Sequence, residues 1–173
     1  MSHNAMRKGT RLRMRCAGSA AILVLAFSLP LDAIQKMTLP DFGVVALDGT
    51  NTQSGSWPVQ GKHLLIYVES PCQACVTVLG LLTKQDYPQL ASNTIVLVGG
   101  MQPNDAQTVR KQFPDLAGAA WYADPSRNAV TSLKMQGAPV IFGIQDGTLR
   151  WSISGIPPDS KRFRSVLNTW CAQ

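Results

Sequence analysis

Apolar and polar positions alternate along the chain in a way that predicts strands interleaved with helices. His63–Val68 (HLLIYV) and Asn93–Val98 (NTIVLV) are continuous apolar runs, as expected of strands buried on both faces. Val140–Gln145 and Thr148–Ser154 flank the turn pair Asp146-Gly147 and predict a hairpin. Thr38–Asp48 (TLPDFGVVALD) reads as a short strand-like stretch closed by Asp48-Gly49, and the polar run Gly49–Lys62 as loop or hairpin. Ala119–Ala123 predicts a further short strand. Four helices fit between and after these runs. The first spans Cys72–Gln85, with Val76, Leu79 and Leu82 on its apolar face. A second opens at Pro103-Asn104-Asp105 and runs to Phe113, where Pro114 stops it. Asp124-Pro125-Ser126 starts a third that reaches Met135, and Pro158-Asp159 precedes a fourth ending near Trp170. The alternation predicts an α/β fold, a sheet with helices packed on its faces.

The first 33 residues have a different character. Arg7, Lys8, Arg11, Arg13 and Arg15 precede the uncharged stretch Ala17–Leu31, with no acidic residue among them. A basic segment followed by a short apolar run predicts an export signal or an N-terminal membrane anchor over residues 1–33, leaving 34–173 as the folded domain. The uncharged stretch is shorter than the usual membrane span of about 20 residues. Cleavage after Ser28 or Ala33 would release a soluble protein; an uncleaved segment would hold it on the inner membrane. Either way the domain is expected in the periplasm or another extracytoplasmic space. Cys16 lies ahead of the apolar run.

This segment also accounts for most of the basic charge. The chain carries 16 Lys and Arg against 10 Asp and Glu, a net of +6. Without the five basic residues before Ala17 the balance is 11 against 10, or +1. A domain so close to neutral lacks the concentrated basic face that phosphate backbones require, so nucleic acid is not an expected partner. At 173 residues there is room for one domain with a sizeable apolar core.

Candidate chemistry concentrates in Tyr67-Val68-Glu69-Ser70-Pro71-Cys72-Gln73-Ala74-Cys75. A buried strand runs out, a polar turn follows, and two cysteines three apart open a helix, where both sulfurs share one side of the first turn. The helix N-terminus stabilises negative charge and lowers the pKa of the more exposed thiol. That arrangement suits thiol–disulfide exchange, with Cys72 attacking and Cys75 resolving the mixed disulfide. A structural disulfide and half of a zinc site are the competing readings; zinc needs further ligands, and His3, His63 and Cys171 are poorly placed to supply them. Cys171 belongs to no motif and is left without an assigned partner. The four tryptophans, Trp57, Trp121, Trp151 and Trp170, are scattered over different elements and read as core or sheet-edge packing, with Trp57 the exception in a polar loop. Lys161, Arg162 and Arg164 read as a solvated helix face.

With these residues in place, the chain resembles the thioredoxin superfamily, and within it the exported TlpA-like and ResA-like thiol–disulfide oxidoreductases. Leu39–Phe42 (LPDF), Leu47-Asp48-Gly49 and Gln60-Gly61-Lys62 look like that family's N-terminal hairpin leading into the central strand. Cys72-Gln73-Ala74-Cys75 stands at the redox motif, Gly137-Ala138-Pro139-Val140 at the cis-proline segment, and Asp146-Gly147 with Arg150 and Gly155 at the terminal hairpin. The match covers residues 38 to 170. The 67 residues from Cys72 to Pro139 exceed a minimal thioredoxin, which implies an extra strand–helix segment. The resemblance thus implies a thioredoxin-like fold: a central mixed sheet flanked by helices, with an N-terminal hairpin and one extra strand–helix segment.

It also implies a function, an extracytoplasmic thiol–disulfide oxidoreductase that reduces or isomerises disulfides of exported proteins. Cys72 and Cys75 would be catalytic, Ala138 and Pro139 would pair with substrate, and Glu69 is a candidate for proton transfer. No cofactor is expected; the expected partners are exported cysteine-containing clients and a membrane-bound or exported thiol–disulfide electron donor. Three features depart from the family pattern. Ser70-Pro71 replaces the usual tryptophan before the first cysteine, Gln-Ala fills the motif, and the central strand lacks the buried carboxylate of thioredoxin. These departures bear on substrate and direction of electron flow. The alternative is a non-catalytic binding or accessory module in which Cys72–Cys75 is a structural bridge. A peroxidase is disfavoured, because VESPCQAC lacks the threonine-containing loop expected around a peroxidatic cysteine.

Overall fold

The continuous apolar runs become the middle of a single sheet because only there are both faces covered. The structure, a computed structural model, describes residues 37–83, 88–100, 102 and 104–171. The predicted export segment 1–33, Cys16 included, lies outside the described residues, as does the side chain of Cys171. Eight strands are described: β1 (Met37–Thr38), β2 (Gly43–Ala46), β3 (Asn51–Gln53), β4 (Lys62–Glu69), β5 (Thr94–Gly99), β6 (Ala120–Asp124), β7 (Val140–Gln145) and β8 (Thr148–Ser154). They pair in the order β1-β8-β7-β4-β5-β6-β2-β3. The β4–β5 and β5–β6 pairs are parallel and the others antiparallel. The helices are α1 (Gln73–Leu82), α2 (Pro88–Ser92), α3 (Asp105–Lys111), α4 (Asn128–Ser132) and α5 (Ser160–Cys171). The fold is α/β with a mixed, helix-flanked sheet, as expected.

Side chains two apart on a strand share a face, and the two faces of β4 bury separate cores. Leu64, Ile66 and Val68 pack with Val96, Val98 and Trp121 beneath Val78 and Leu79 of α1, Ala106 and Val109 of α3, and Phe163 and Leu167 of α5. Leu65 and Tyr67 pack on the other side with Leu97, Phe142, Phe42 and Ala129. Truncating one of these fully buried aliphatic side chains to alanine costs about 2–5 kcal/mol.

Two sequence expectations are revised. The stretch Thr38–Asp48 is not one strand. Met37–Thr38 pairs with β8 at one edge of the sheet, whereas Gly43–Ala46 pairs with β6 near the other. Pro40 has no amide to continue a ladder, and Leu39 and Phe42 pack against the second core as the chain crosses that face. The helix expected from Asp124 to Met135 is confined to Asn128–Ser132. Arg127 (φ 54°) and Lys134 (φ 52°) both adopt left-handed backbone on either side of it.

The polar run before β4 resolves into β3, which makes a hairpin with β2, and a short 3-10 turn at Ser54–Ser56. Trp57, set apart above because its sequence neighbours form a polar loop, is buried: it stacks on Tyr122 and meets Phe42 edge-on. Hydrophobic burial of a large indole outweighs the polarity of its sequence neighbours.

Candidate active site

Four chain segments converge at the carboxyl end of β4. The strand ends at Glu69, and Ser70 donates its amide to the Gly99 carbonyl at 3.0 Å, which holds the outgoing loop against β5. The Ser70–Pro71 peptide is cis, a feature the sequence reading did not include. Cys72 then caps α1 in extended conformation (φ −155°, ψ 107°), and its sulfur accepts the Cys75 amide at 3.1 Å. Cys72 and Cys75 are joined by a disulfide with Cα atoms 5.2 Å apart.

The two sulfurs differ in their surroundings. Cys72 is half-buried at the helix start, while Cys75 is 2% exposed and packs into the core beneath α1. The Glu69 amide also donates to the Cys75 sulfur, at 3.4 Å. The first-turn amides of a helix lack intrahelical acceptors, so a thiolate at Cys72 would be met by partial positive charge.

The Ala138–Pro139 peptide is cis, as the resemblance implied. Val140 stands opposite Tyr67, which puts Pro139 beside the end of β4 from which the cysteine loop emerges. Gly155 donates to the Pro139 carbonyl at 2.8 Å, drawing the end of β8 to the same place. Two apolar side chains stand exposed on these segments: Val76, one turn along α1 from Cys72, at 41%, and Ile156 at 49%. A cavity of about 360 Å³ opens beside Ala138 and Pro139, floored by Leu133, Val140 and Phe142 and rimmed by Ser152 and Ser154.

Glu69 behaves differently from its neighbours in sequence. Its amide faces Cys75, but its carboxylate forms an ion pair with Arg127. Tyr67, Glu69, Asp124 and Arg127 form a polar group that sequence reasoning did not assemble. Asp124 is fully buried and accepts the amides of Asn128 at 2.8 Å and Ala129 at 2.9 Å. Burial pushes its carboxyl above the usual range, opposed by those two amides and by the Arg127 charge. The Tyr67 phenol is pushed up to about 12, first by burial and then by the Glu69 and Asp124 carboxylates. The sequence singles out Asp124 as a helix-start residue and Glu69 as the acid nearest the cysteines, but neither signal links the two or points to Arg127.

His63, weighed above as a metal ligand, lies at the opposite end of β4 from the cysteines. Six residues of strand at about 3.3 Å each hold it roughly 20 Å from Glu69. Among the described residues no group of three His, Cys, Asp or Glu side chains is arranged to hold a metal ion. Nor is any described helix long and apolar enough to cross a membrane.

No protein-family model and no curated protein sequence matches the chain. Solved structures do. The chain is similar to a thiol:disulfide interchange protein from a Bacteroides species, at 10% identity and TM-score 0.59, over 80% of this chain and 90% of that one. It is similar to the exposed lipoprotein thioredoxin of Streptococcus pneumoniae, at 17% identity and TM-score 0.56, over 78% of this chain and all (100%) of that one. A thio-disulfide isomerase from Thermus thermophilus matches at 16% identity and TM-score 0.53, over 76% and 94% of the two chains. At these identities the likeness establishes the thioredoxin-like fold.

Proposed function

We propose that the protein is a thiol–disulfide oxidoreductase that works outside the cytoplasm, reducing or isomerising disulfides of exported proteins. The observation that carries this reading is the asymmetry of the cysteine pair. Cys72 caps a helix at the surface, and Cys75 lies buried behind it. In the reduced protein the Cys72 thiolate attacks one sulfur of a client disulfide and expels the other as a thiolate. Cys75 then loses its proton to solvent and attacks the Cys72 sulfur. The Cys72–Cys75 bond forms as the Cys72–client bond breaks, and the client leaves with two thiols. An exported or membrane-bound thiol–disulfide donor restores the reduced pair; no cofactor enters the cycle.

The client segment would lie along Ala138 and Pro139, beside the apolar side chains of Val76 and Ile156. Glu69 is proposed near the proton path of Cys75, on the strength of its amide contact. The basic-then-apolar pattern of residues 1–33 supports export, and a reporter active only outside the cytoplasm, fused to the first 35 residues, checks it.

The deciding measurement is the reduction potential of the Cys72–Cys75 couple in glutathione or dithiothreitol buffers. Gln73-Ala74 adds no charge to stabilise the Cys72 thiolate. The expected potential is therefore nearer about −270 mV, as in thioredoxin, than about −120 mV, as in a strong oxidant. A value above roughly −150 mV would reverse the direction and make the protein an oxidase. Full client turnover by Cys72→Ser would leave the bridge as a structural cap and the protein as an accessory module.

A further inference from the structure

Each sulfur of the pair accepts an amide of its own, and the two amides come from different elements. The Cys72 sulfur accepts the Cys75 amide at 3.1 Å, within the first turn of α1. The Cys75 sulfur accepts the Glu69 amide at 3.4 Å, from the last residue of β4. That strand amide is available because of where the ladders end. Successive amides of a strand point to opposite neighbours, and Ser70 gives its amide to the Gly99 carbonyl of β5. The Glu69 amide therefore points to the β7 side. There the antiparallel ladder ends at Tyr67–Val140, and Pro139 has no amide to carry it further. The Glu69 N–H is left out of both ladders, and the Cys75 sulfur takes it.

The rest of the surroundings of Cys75 are apolar. It shares its core with Val68 of β4, Val98 of β5, Ile141 of β7, Val78 of α1 and Phe163 of α5. The charges of the packed elements are held elsewhere. The Glu69 carboxylate pairs with Arg127, and Asp124 at the end of β6 accepts the first two amides of α4. On α3, Asp105 accepts the Gln102 amide, Arg110 donates to the Ala117 carbonyl and Lys111 is exposed. Lys161, Arg162 and Arg164 of α5 are exposed, and α1 carries no charged residue from Gln73 to Leu82. A thiolate in such a core has lost its water, so a donor held against it counts for more than one at the surface.

We propose that the main-chain amide of Glu69 is a catalytic group of the Cys72–Cys75 couple, holding the Cys75 sulfur whenever it carries negative charge. Cys75 is charged at two points of the cycle. In client reduction the Cys75 thiolate attacks the Cys72 sulfur; the Cys72–Cys75 bond forms, the Cys72–client bond breaks, and the client sulfur leaves as a thiolate. When the pair is restored, a thiolate of a dithiol donor attacks Cys72 and the Cys72–Cys75 bond breaks. Cys75 then leaves as a thiolate, and the donor's second thiol expels Cys72 as the donor becomes a disulfide. A hydrogen bond to the charged form lowers the pKa of the thiol. That supplies more thiolate for the first step and a better leaving group for the second.

This inference rests on the redox reading of the pair given above, but its test needs no client. An ester in place of the Val68–Glu69 peptide bond removes this N–H and keeps every side chain. The full-length protein carrying it is compared with wild type, both reduced, by NMR titration of labelled cysteine. The ester is expected to raise the pKa of Cys75 by about one unit, the usual worth of a hydrogen bond to a charged group, leaving about tenfold less thiolate on the acid side. Reduction of the Cys72–Cys75 bond by dithiothreitol should slow about threefold, because the poorer leaving group departs more slowly. Should the ester protein fold poorly, wild type decides alone: its Glu69 amide proton should move downfield as Cys75 loses its proton. An amide resonance that ignores that titration, or a folded ester protein with an unchanged Cys75 pKa and reduction rate, would overturn the proposal. So would a Glu69→Gln protein whose Cys75 pKa shifts as far as that of the ester, since the carboxylate would then carry the effect. A shift in the ester protein, with no client turnover by wild type, would sink the oxidoreductase reading and spare this one. Client turnover with an unshifted pKa would do the opposite.

Discussion

The hydroxyl of Tyr67 occupies the space that a side chain at residue 99 would fill. A Cβ built on Gly99 overlaps the Tyr67 phenol and comes within 3.4 Å of Glu69 Cγ. The glycine at the end of β5 therefore leaves room for the Tyr67 phenol, with the Glu69 side chain beside it. Gly99→Ala should destabilise the protein by about 1–3 kcal/mol, the usual cost of overpacking a filled site. Urea unfolding measures the loss, and near-ultraviolet circular dichroism reports the displaced tyrosine; an unchanged midpoint and spectrum would show that the site yields freely.

Tyr67 also makes a prediction about alkaline pH. Its folded-state pKa is pushed up to about 12 from an ordinary value of 10.0, chiefly by burial. The neutral phenol is thus the form the fold prefers, and its contribution is fully present below about pH 10 and lost as pH rises towards 12. Between those limits wild type should lose stability relative to Tyr67→Phe. Paired urea midpoints at pH 9 and pH 11 check this, and a constant difference between the two proteins would contradict it.

The unequal burial of the two sulfurs predicts unequal phenotypes. Cys72→Ser should abolish client reduction. Cys75→Ser should instead accumulate mixed disulfides with clients, because attack survives and resolution does not. Non-reducing gels of the two variants after incubation with an oxidised exported protein distinguish them. Equal trapping by both variants would mean that either cysteine can attack.

Val76 and Ile156 are exposed apolar side chains on the segments that carry Cys72 and follow Pro139. If clients are held there, Val76→Lys and Ile156→Lys should each slow reduction of a protein disulfide about tenfold, the worth of one partly buried aliphatic contact. Reduction of the pair by dithiothreitol should be unaffected, because a small reductant makes no such contact. Equal slowing of both reactions would point to a perturbed helix instead.

Much of the architecture was legible because it depends on local pattern. The continuous run His63–Val68 lies within β4, the run Asn93–Val98 falls in β5 from Thr94 onward, and Val140–Gln145 with Thr148–Ser154 form the hairpin as expected. The cysteine spacing placed Cys72 at the start of α1. The helix after Asp124 is shorter than its pattern predicts, since Lys134 (φ 52°) lies in left-handed backbone just past its end, which no helix-forming tendency announces.

The sequence by itself determined the long central strands and the terminal hairpin, and that two sulfurs meet at a helix start, because these follow from side-chain periodicity and from neighbours a few residues apart. Tertiary structure decided the rest. It sent Met37–Thr38 and Gly43–Ala46 towards opposite edges of the sheet, buried Trp57 against Tyr122, and joined Glu69 to Arg127 across 58 residues of chain. Those outcomes depend on strand order and register, which the packing of both sheet faces settles together, and no single segment carries that information.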